Sequence, residues 1–285
     1  MDFTLKTYHV LLKTLIQQDF SFQLFHEFIE RPKERTILLR HDVDKLPENS
    51  LRFAQIQNKL GIKGSFYFRI ISKSFNPNII ENIAKLGHEI GYHYEDIDFA
   101  MQNLTKKLKS EKNKLEFEKE LAKQAIDLFE ENLEKLRKYY PVKSICMHGS
   151  PLSKLDNKLL WKYYSYKDFG IIGEPYFDID FSKVLYLTDT GRKWNGEKVS
   201  IRDKVNDSLL KITSVNEDKI QNFKKTIDII QAAENGKLPN QIMFTFHPQR
   251  WTDRPIPWIK ELGWQNTKNI LKYFLNRIRS KNTLM

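Results

Sequence analysis

Apolar and polar positions follow two periods along the chain, which predict strands and helices in turn. Apolar or β-branched runs typical of buried strands cover 36–44, 64–70, 88–96, 142–148, 170–174, 184–189 and 241–247. Apolar residues at helical spacing cover 4–17, 47–60, 78–86, 105–140, 216–233 and 266–279. Strands that alternate with helices imply a parallel sheet. Seven such strands predict an α/β fold, a distorted seven-stranded (β/α) barrel.

The same pattern bears on domain organisation. No internal repeat or low-complexity linker divides the 285 residues, so we predict a single domain over 1–285. Residues 1–30 are predicted to form an N-terminal helical extension packed on the barrel. The stretch 105–140 is predicted to be one long helix. A coiled coil is the alternative there, although its heptads are not sustained.

The first predicted strand, TILLRHDVD at 36–44, runs from apolar residues directly into ionisable ones. Because side chains alternate across a strand, Asp42 and Asp44 should lie on the same side. Two neighbouring carboxylates repel each other unless a cation or a shared proton lies between them. The alternative is an acidic loop whose charges are satisfied by Arg40, Lys45 or a helix N-terminus.

Four further predicted strands also end in ionisable residues, with the sequences GYHYED, MHGS, TDTGR and FHPQRW. In a (β/α) barrel the functional side chains lie at the carboxyl ends of the strands, so these endings should meet. His93 and Glu95 share one face of their strand by alternation. Imidazole nitrogens and carboxylate oxygens together suit Zn²⁺ or a similar divalent ion.

Composition narrows the classes of partner and function. The net charge of +11 favours acidic partners. The basic residues of 106–123 are interleaved with glutamates, as on a solvated helix face, and no nucleic-acid-binding motif is present. An anionic sugar, nucleotide or lipid head group is the more modest inference. The single cysteine, Cys146, excludes an internal disulfide and a cysteine-based metal cluster.

The start of the chain and its apolar segments bear on location. Residues 1–15 carry charge throughout and lack the pattern of a secretory signal, and no segment has the apolar length of a transmembrane helix. We therefore expect a cytoplasmic protein.

The ordered motifs resemble those of a known family. RHDVD followed by LGHEIGYHYED resembles the opening motifs of the polysaccharide deacetylase superfamily, carbohydrate esterase family four. CMHGSP falls where that family has its third motif, and FTFHPQRW resembles its last motif, a strand ending in a catalytic histidine. The resemblance covers roughly residues 36–251. It implies a polysaccharide deacetylase-like barrel and the metal-dependent hydrolysis of an N-acetyl group on an amino sugar.

The resemblance also implies roles for individual residues. Asp42 is expected to be the base that activates water, and His247 the acid that protonates the leaving amine. Asp44 and His93 are expected metal ligands, most simply for zinc. The family's second metal-binding histidine falls at Ile97 here, so another residue must replace it. The candidates are Glu95, Asp96 and His148, of which alternation favours Glu95 and a position at the end of the next strand favours His148.

Six further residues are predicted to contact substrate: Glu174, Asp189, Arg192, Trp194, Arg250 and Trp251. In the TDTGRKW segment, Trp194 would stack on the sugar ring and Arg192 would meet an anionic group. The alternative is an Asp-Gly turn with an exposed arginine.

Two functions from different classes remain. The first is an N-deacetylase of a cytoplasmic amino sugar, such as a nucleotide-linked or lipid-linked sugar used in surface polysaccharide synthesis. The alternative is a catalytically silent relative that binds a glycan or nucleotide sugar, or a hydrolase of a non-acetyl amide.

Overall fold

The computed structural model describes residues 1–104, 113–149, 155–194 and 223–282, the last thirteen of these by their backbone alone. A seven-stranded sheet forms its centre, and the paired strands are parallel. In chain order the strands are β1 (Ser21–Gln23), β2 (Thr36–Val43), β3 (Ser65–Phe68), β4 (Glu89–Tyr94), β5 (Ile145–Met147), β6 (Leu185–Thr188) and β7 (Gln241–Phe246). Their spatial order is β5-β4-β3-β2-β7-β6, and β1 pairs with the first residues of β2.

Helices follow most of the strands. They are α1 (Leu5–Gln17), α2 (Phe25–Glu30), α3 (Pro47–Lys59), α4 (Pro77–Lys85), α5 (Asp96–Asn103), α6 (Lys114–Arg137), α7 (Pro175–Asp178), α8 (Thr226–Glu234) and α9 (Pro255–Asn282). Local sequence explains several starts. The side chains of Asn76 and Asn113 accept backbone N–H groups in the first turns of α4 and α6. Pro47 opens α3, where an N–H would have no helical partner.

The central strand β2 is buried on both faces. Ile37, Leu39 and Val43 belong to the main hydrophobic core. Leu38, the next residue in the alternation, belongs to a separate apolar cluster, and Arg40 and Asp42 share its face. A strand that is covered on both sides is typically a near-continuous run of apolar or β-branched residues, which explains the composition of 36–39.

Helix α2 closes the amino-terminal end of the inner face. Its Phe25 and Phe28 pack with Leu38 of β2 and Met243 of β7. Burying each phenylalanine is worth roughly 1.5–3 kcal/mol. Apolar side chains thus fill much of this end of the inner face.

The predicted α/β fold, a distorted seven-stranded (β/α) barrel, is confirmed in the form of a curled parallel sheet, with two differences in its strands. Residues 21–23 form β1, which was not predicted. The predicted strand 170–174 is reduced to a single bridge between Ser144 and Gly173. Pro175 begins α7 two residues after Gly173 and ends the pairing there. Among the described residues no pairing joins Gly173 to β6, so the sheet is an open half-barrel.

The helix predictions also change at their ends. Residues 105–112 and 216–222 lie outside the described residues, so the predicted helices 105–140 and 216–233 are seen only in part, as α6 and α8. Helix α9 begins earlier than the predicted 266–279. The predicted N-terminal extension is helical in α1 and α2, but β1 joins the sheet. In the described part of the chain, none of the helices has both the length and the apolarity needed to span a membrane. The single-domain assignment stays a prediction.

Candidate functional site

Three side chains that can bind a metal meet at the carboxyl end of the sheet. Asp44 follows β2, His93 lies in β4 and His148 follows β5. Nε2 of His93 lies 3.8 Å, and Nε2 of His148 3.6 Å, from Oδ1 of Asp44. In a flat sheet β2 and β5, three positions apart, would be separated by roughly 14 Å. The curl of the sheet therefore brings these residues together.

Both imidazole rings are held at Nδ1, which leaves Nε2 directed towards Asp44. Nδ1 of His93 lies 2.9 Å from the carbonyl oxygen of Cys146. Nδ1 of His148 lies 3.0 Å from Oε2 of Glu95. Burial lowers the pKa of His93 to about 4, so its ring is neutral at neutral pH and Nε2 carries a lone pair. Histidines that bind metals are commonly held at their other nitrogen in the way that His93 is held, whereas Nδ1 of His148 has a close contact with Glu95 but no hydrogen-bond partner among the described residues.

These three residues fit a divalent metal ion. Their ligand atoms all lie within 4.8 Å of one another. Oδ1 of Asp44 is buried and has no hydrogen-bond partner among the described residues, which is costly for a carboxylate oxygen unless a cation meets it. One carboxylate and two imidazoles suit Zn²⁺ and leave an open coordination position, as in catalytic zinc sites.

A second group of possible ligands, Asp42, His93 and Cys146, also lies within 4.8 Å. It shares His93 with the first group, and Asp42 is already engaged by another side chain. Arg40 donates from Nε to Oδ1 of Asp42 at 2.8 Å and from Nη2 to Oδ2 at 2.7 Å. We therefore take Asp44, His93 and His148 as the candidate metal ligands.

Asp42 lies beside this cluster as a buried, ionised carboxylate. Its Oδ2 is 3.7 Å from Nε2 of His93. Burial alone would raise the pKa of Asp42, but Arg40 and His93 hold it below its usual value. A carboxylate has about four lone-pair positions, so the two bonds from Arg40 leave room for a further donor. Asp42 can therefore accept a proton from a water molecule at the cluster.

His247, at the end of β7, is positioned by Asp189 after β6. Nδ1 of His247 lies 2.6 Å from Oδ1 of Asp189, and the backbone N–H of His247 donates to Oδ2 at 2.9 Å. Arg250 and Trp251 also donate to the Asp189 carboxylate, at 3.1 and 2.6 Å. Burial opposes the charge of Asp189, but His247 and Arg250 keep its pKa below the usual value. Nε2 of His247 is left for proton transfer.

His247 is close enough to the metal cluster to act on its charges. It lowers the pKa values of both Asp42 and Asp44, against the effect of their burial. The structure thus brings together five of the six residues expected to be catalytic or metal-binding, Asp42, Asp44, His93, His148 and His247, and it places the sixth, Glu95, against His148.

Several of the residues that were predicted to contact substrate are buried and stabilise the site by packing and hydrogen bonds. The indole of Trp194 is 3% exposed, donates to Thr226 and packs on Phe244 and Phe246. Trp251 is 1% exposed, with its N–H on Asp189. These placements correct the prediction that the two tryptophans and Asp189 face a sugar, because the described residues leave no ring face or free oxygen of these three side chains open to one.

Glu174 is also a correction. It is fully buried, and burial raises its pKa to about 7. Its two oxygens accept the backbone N–H groups of Met147 and Tyr176 at 3.0 and 2.5 Å. Glu174 thus caps α7 and connects it to β5. The prediction had assigned it a contact with substrate.

Arg192 joins two segments at the edge of the site. Its guanidinium lies over the rings of Phe3 and Trp258, at 5.1 and 4.7 Å. It reaches the carbonyl oxygen of Asp2 at 3.5 Å. Arg192 thereby links the N-terminal segment to α9. Substrate binding by Arg192 and by Arg250 stays a prediction.

Some residues of the site were missed in the sequence. Gln249 donates to Oδ2 of Asp44 at 2.9 Å, and Arg69, just after β3, makes two bonds to Glu95. Arg69 directly follows a buried strand, and this position in the sequence could have identified it as a residue of the site. Arg40 was considered only as an alternative partner of the acidic residues, although it shares a face of β2 with Asp42.

Comparisons with known proteins give a distant likeness to a solved structure. No family model matches the chain, and no curated protein matches it. A solved structure of a BA3943 mutant, described as a CE4 family pseudoenzyme with restored enzymatic activity, is similar at 14% identity and a TM-score of 0.36. The match covers 85% of this chain and 65% of that one.

Proposed function

We propose that this protein is a metal-dependent hydrolase that removes an N-acetyl group from an amino sugar. The observation that carries the proposal is the convergence of Asp44, His93 and His148, with a buried carboxylate oxygen left without a hydrogen bond, beside Asp42. A divalent ion bound by the three ligands, most simply Zn²⁺, would polarise the amide carbonyl and lower the pKa of a water molecule.

The chain's own residues supply the proton transfers. Asp42 accepts the proton of the attacking water, and Arg40 keeps this carboxylate ionised until then. His247 gives a proton from Nε2 to the leaving nitrogen as the C–N bond breaks, while Asp189 holds the ring at Nδ1. The products are acetate and the free amine of the sugar. A nucleotide-linked or lipid-linked substrate and a cytoplasmic location stay predictions from the sequence.

A second candidate is a catalytically silent glycan-binding or nucleotide-sugar-binding protein. One observation favours it: both oxygens of Asp42 are already bonded to Arg40. In that case the pocket would bind a sugar without hydrolysing it. A hydrolase of a non-acetyl amide is the third possibility that the test must separate.

The test combines metal analysis with a kinetic assay. Purified protein should contain about one equivalent of Zn²⁺ and release amine from at least one member of a panel of N-acetylated amino sugars. Asp42→Asn should keep the metal and lower kcat by about 10²–10⁴-fold, because the proton acceptor is removed. Asp180→Asn, at an exposed aspartate, is the matched control and should leave both unchanged.

Three results would contradict different parts of the proposed function. A chain that binds sugars but hydrolyses none of them would favour the silent relative. A chain that holds metal and hydrolyses only other amides would favour the third possibility. Wild-type and Asp42→Asn proteins of equal activity would refute the role of Asp42.

A further inference from the structure

Glu95 lies behind the metal cluster, on the far side of His148. Its Oε2 is 3.0 Å from Nδ1 of His148, whereas Nε2 of the same ring faces Asp44 at 3.6 Å. The contact at Nδ1 is close, but Nδ1 has no partner with hydrogen-bond geometry among the described residues. The two ring nitrogens point in different directions, so the carboxylate of Glu95 and that of Asp44 hold the imidazole between them.

Arg69 fixes Glu95 in that position. Nε and Nη2 of Arg69 donate to Oε1 and Oε2 of Glu95 at 2.7 and 2.6 Å. Two parallel bonds from one guanidinium define the plane of the carboxylate as well as its place. The side chain of Glu95 is 6% exposed, so water competes little for these contacts.

The position of Glu95 in the chain would also allow its side chain to cap helix α5. Glu95 is the residue just before α5, where an acidic side chain commonly accepts an N–H of the first helical turn. No such bond is present, and the side chain turns to Arg69 and His148. The metal-ligand group formed by Asp44, His93 and His148 does not include Glu95.

We propose that Glu95 is a positioning residue for the metal site: held by Arg69, it orients His148 so that Nε2 can bind the ion. This inference rests on the proposed function, and it replaces the expectation that Glu95 is itself a ligand. His93 is oriented by a backbone carbonyl, which no substitution removes. His148, just after the short strand β5, depends on a side chain instead.

The test measures Zn²⁺ affinity directly, by competition with a chromophoric chelator. Glu95→Gln should bind Zn²⁺ about 10–100-fold more weakly than the wild type, the usual effect of removing such a partner. Glu89→Gln is the matched control, since Glu89 is an equally buried glutamate at the opposite end of β4. It should change the affinity by less than about twofold. Circular dichroism checks that both variants fold.

A double-mutant cycle separates orientation from direct binding. In a His148→Ala background, Glu95→Gln should cause no further loss of Zn²⁺ affinity, because the ring that Glu95 orients is absent. An equal loss in both backgrounds would make Glu95 a ligand and overturn the inference. Wild-type affinity in Glu95→Gln would overturn this inference alone. A wild-type chain that binds no Zn²⁺ would overturn the proposed metal site as well.

Discussion

Arg40 and Asp42 form an ion pair that neither residue can easily lose. They lie two positions apart on β2, point to the same side and are 2% and 3% exposed. Burial alone would raise the pKa of the Asp42 carboxyl, and Arg40 is the first of the nearby charges that lower it. The ion pair with Arg40 therefore keeps Asp42 charged as a proton acceptor, and it also compensates the charge that Asp42 buries.

Replacing Arg40 by methionine should lower the free energy of unfolding by about 3–5 kcal/mol, because Asp42 would remain as an uncompensated buried charge. Urea denaturation at pH 7 measures this change. Asp42→Asn added to Arg40→Met should recover much of the loss, since the unpaired charge is then removed as well. Equal urea midpoints for Arg40→Met and the wild type would show that Asp42 does not depend on Arg40.

At the scale of elements, α2 is attached to β4 by one carboxylate. Oε2 of Glu89 accepts the backbone N–H groups of Phe25 and His26 at 2.9 and 3.4 Å. Its Oε1 lies 3.3 Å from Nδ1 of His26. A carboxylate at a helix N-terminus is favoured by the unpaired N–H groups and by the helix dipole. Glu89 thus helps to hold the helix that closes the lower end of the half-barrel.

The contribution of the His26–Glu89 contact to the stability of the protein should depend on pH. The bond to Glu89 raises the pKa of His26 above its usual value, against a partial loss of solvation. The charged form of His26 is therefore favoured by folding, so its contribution to stability is complete below about pH 6.5, the unfolded-state pKa. It is lost as the pH rises through the higher folded-state pKa.

His26→Gln should accordingly destabilise the protein at pH 5.5 and have little effect at pH 9. Urea midpoints for the variant and the wild type at the two pH values measure the difference. Replacement of the exposed His9 by glutamine serves as the control for adding an amide. A His26→Gln effect of the same size at both pH values would contradict the assignment.

At the scale of the whole molecule, the candidate metal site exists only in the folded chain. Its three ligands belong to or follow β2, β4 and β5, which lie far apart in the sequence. The unfolded chain has no comparable arrangement, so an ion that binds the site must stabilise the folded state.

Zn²⁺ should therefore raise the Tm of the wild-type protein. At a free concentration of 100 Kd the stabilisation is about 2.7 kcal/mol. Differential scanning calorimetry, with a chelator to reverse the effect, measures it. His148→Ala should remove most of the shift, because one of three ligands is gone. A Tm that does not respond to Zn²⁺ in the wild type would argue against the site.

Particular residues show how far sequence reasoning reached. Strand β2 was predicted from four consecutive apolar or β-branched residues, and the shared face of Asp42 and Asp44 from simple alternation. Glu174 and Trp194 were predicted at the site because they lie beside strand ends. Both are buried, since whether a strand-end residue faces a pocket or a neighbouring element depends on how the strand packs. No local pattern carries that information.

The sequence by itself determined the alternation of strands and helices, and with it the parallel sheet and the end at which ionisable residues collect. These features follow from local periodicity and from the chain direction that parallel strands share. Only the tertiary structure decided which of those residues meet. Asp44 comes within ion-pair distance of His148 because the sheet curls, and Glu95 lies behind His148 because Arg69 of a different segment binds it. Both are long-range contacts, and they depend on the curvature and packing of the whole sheet.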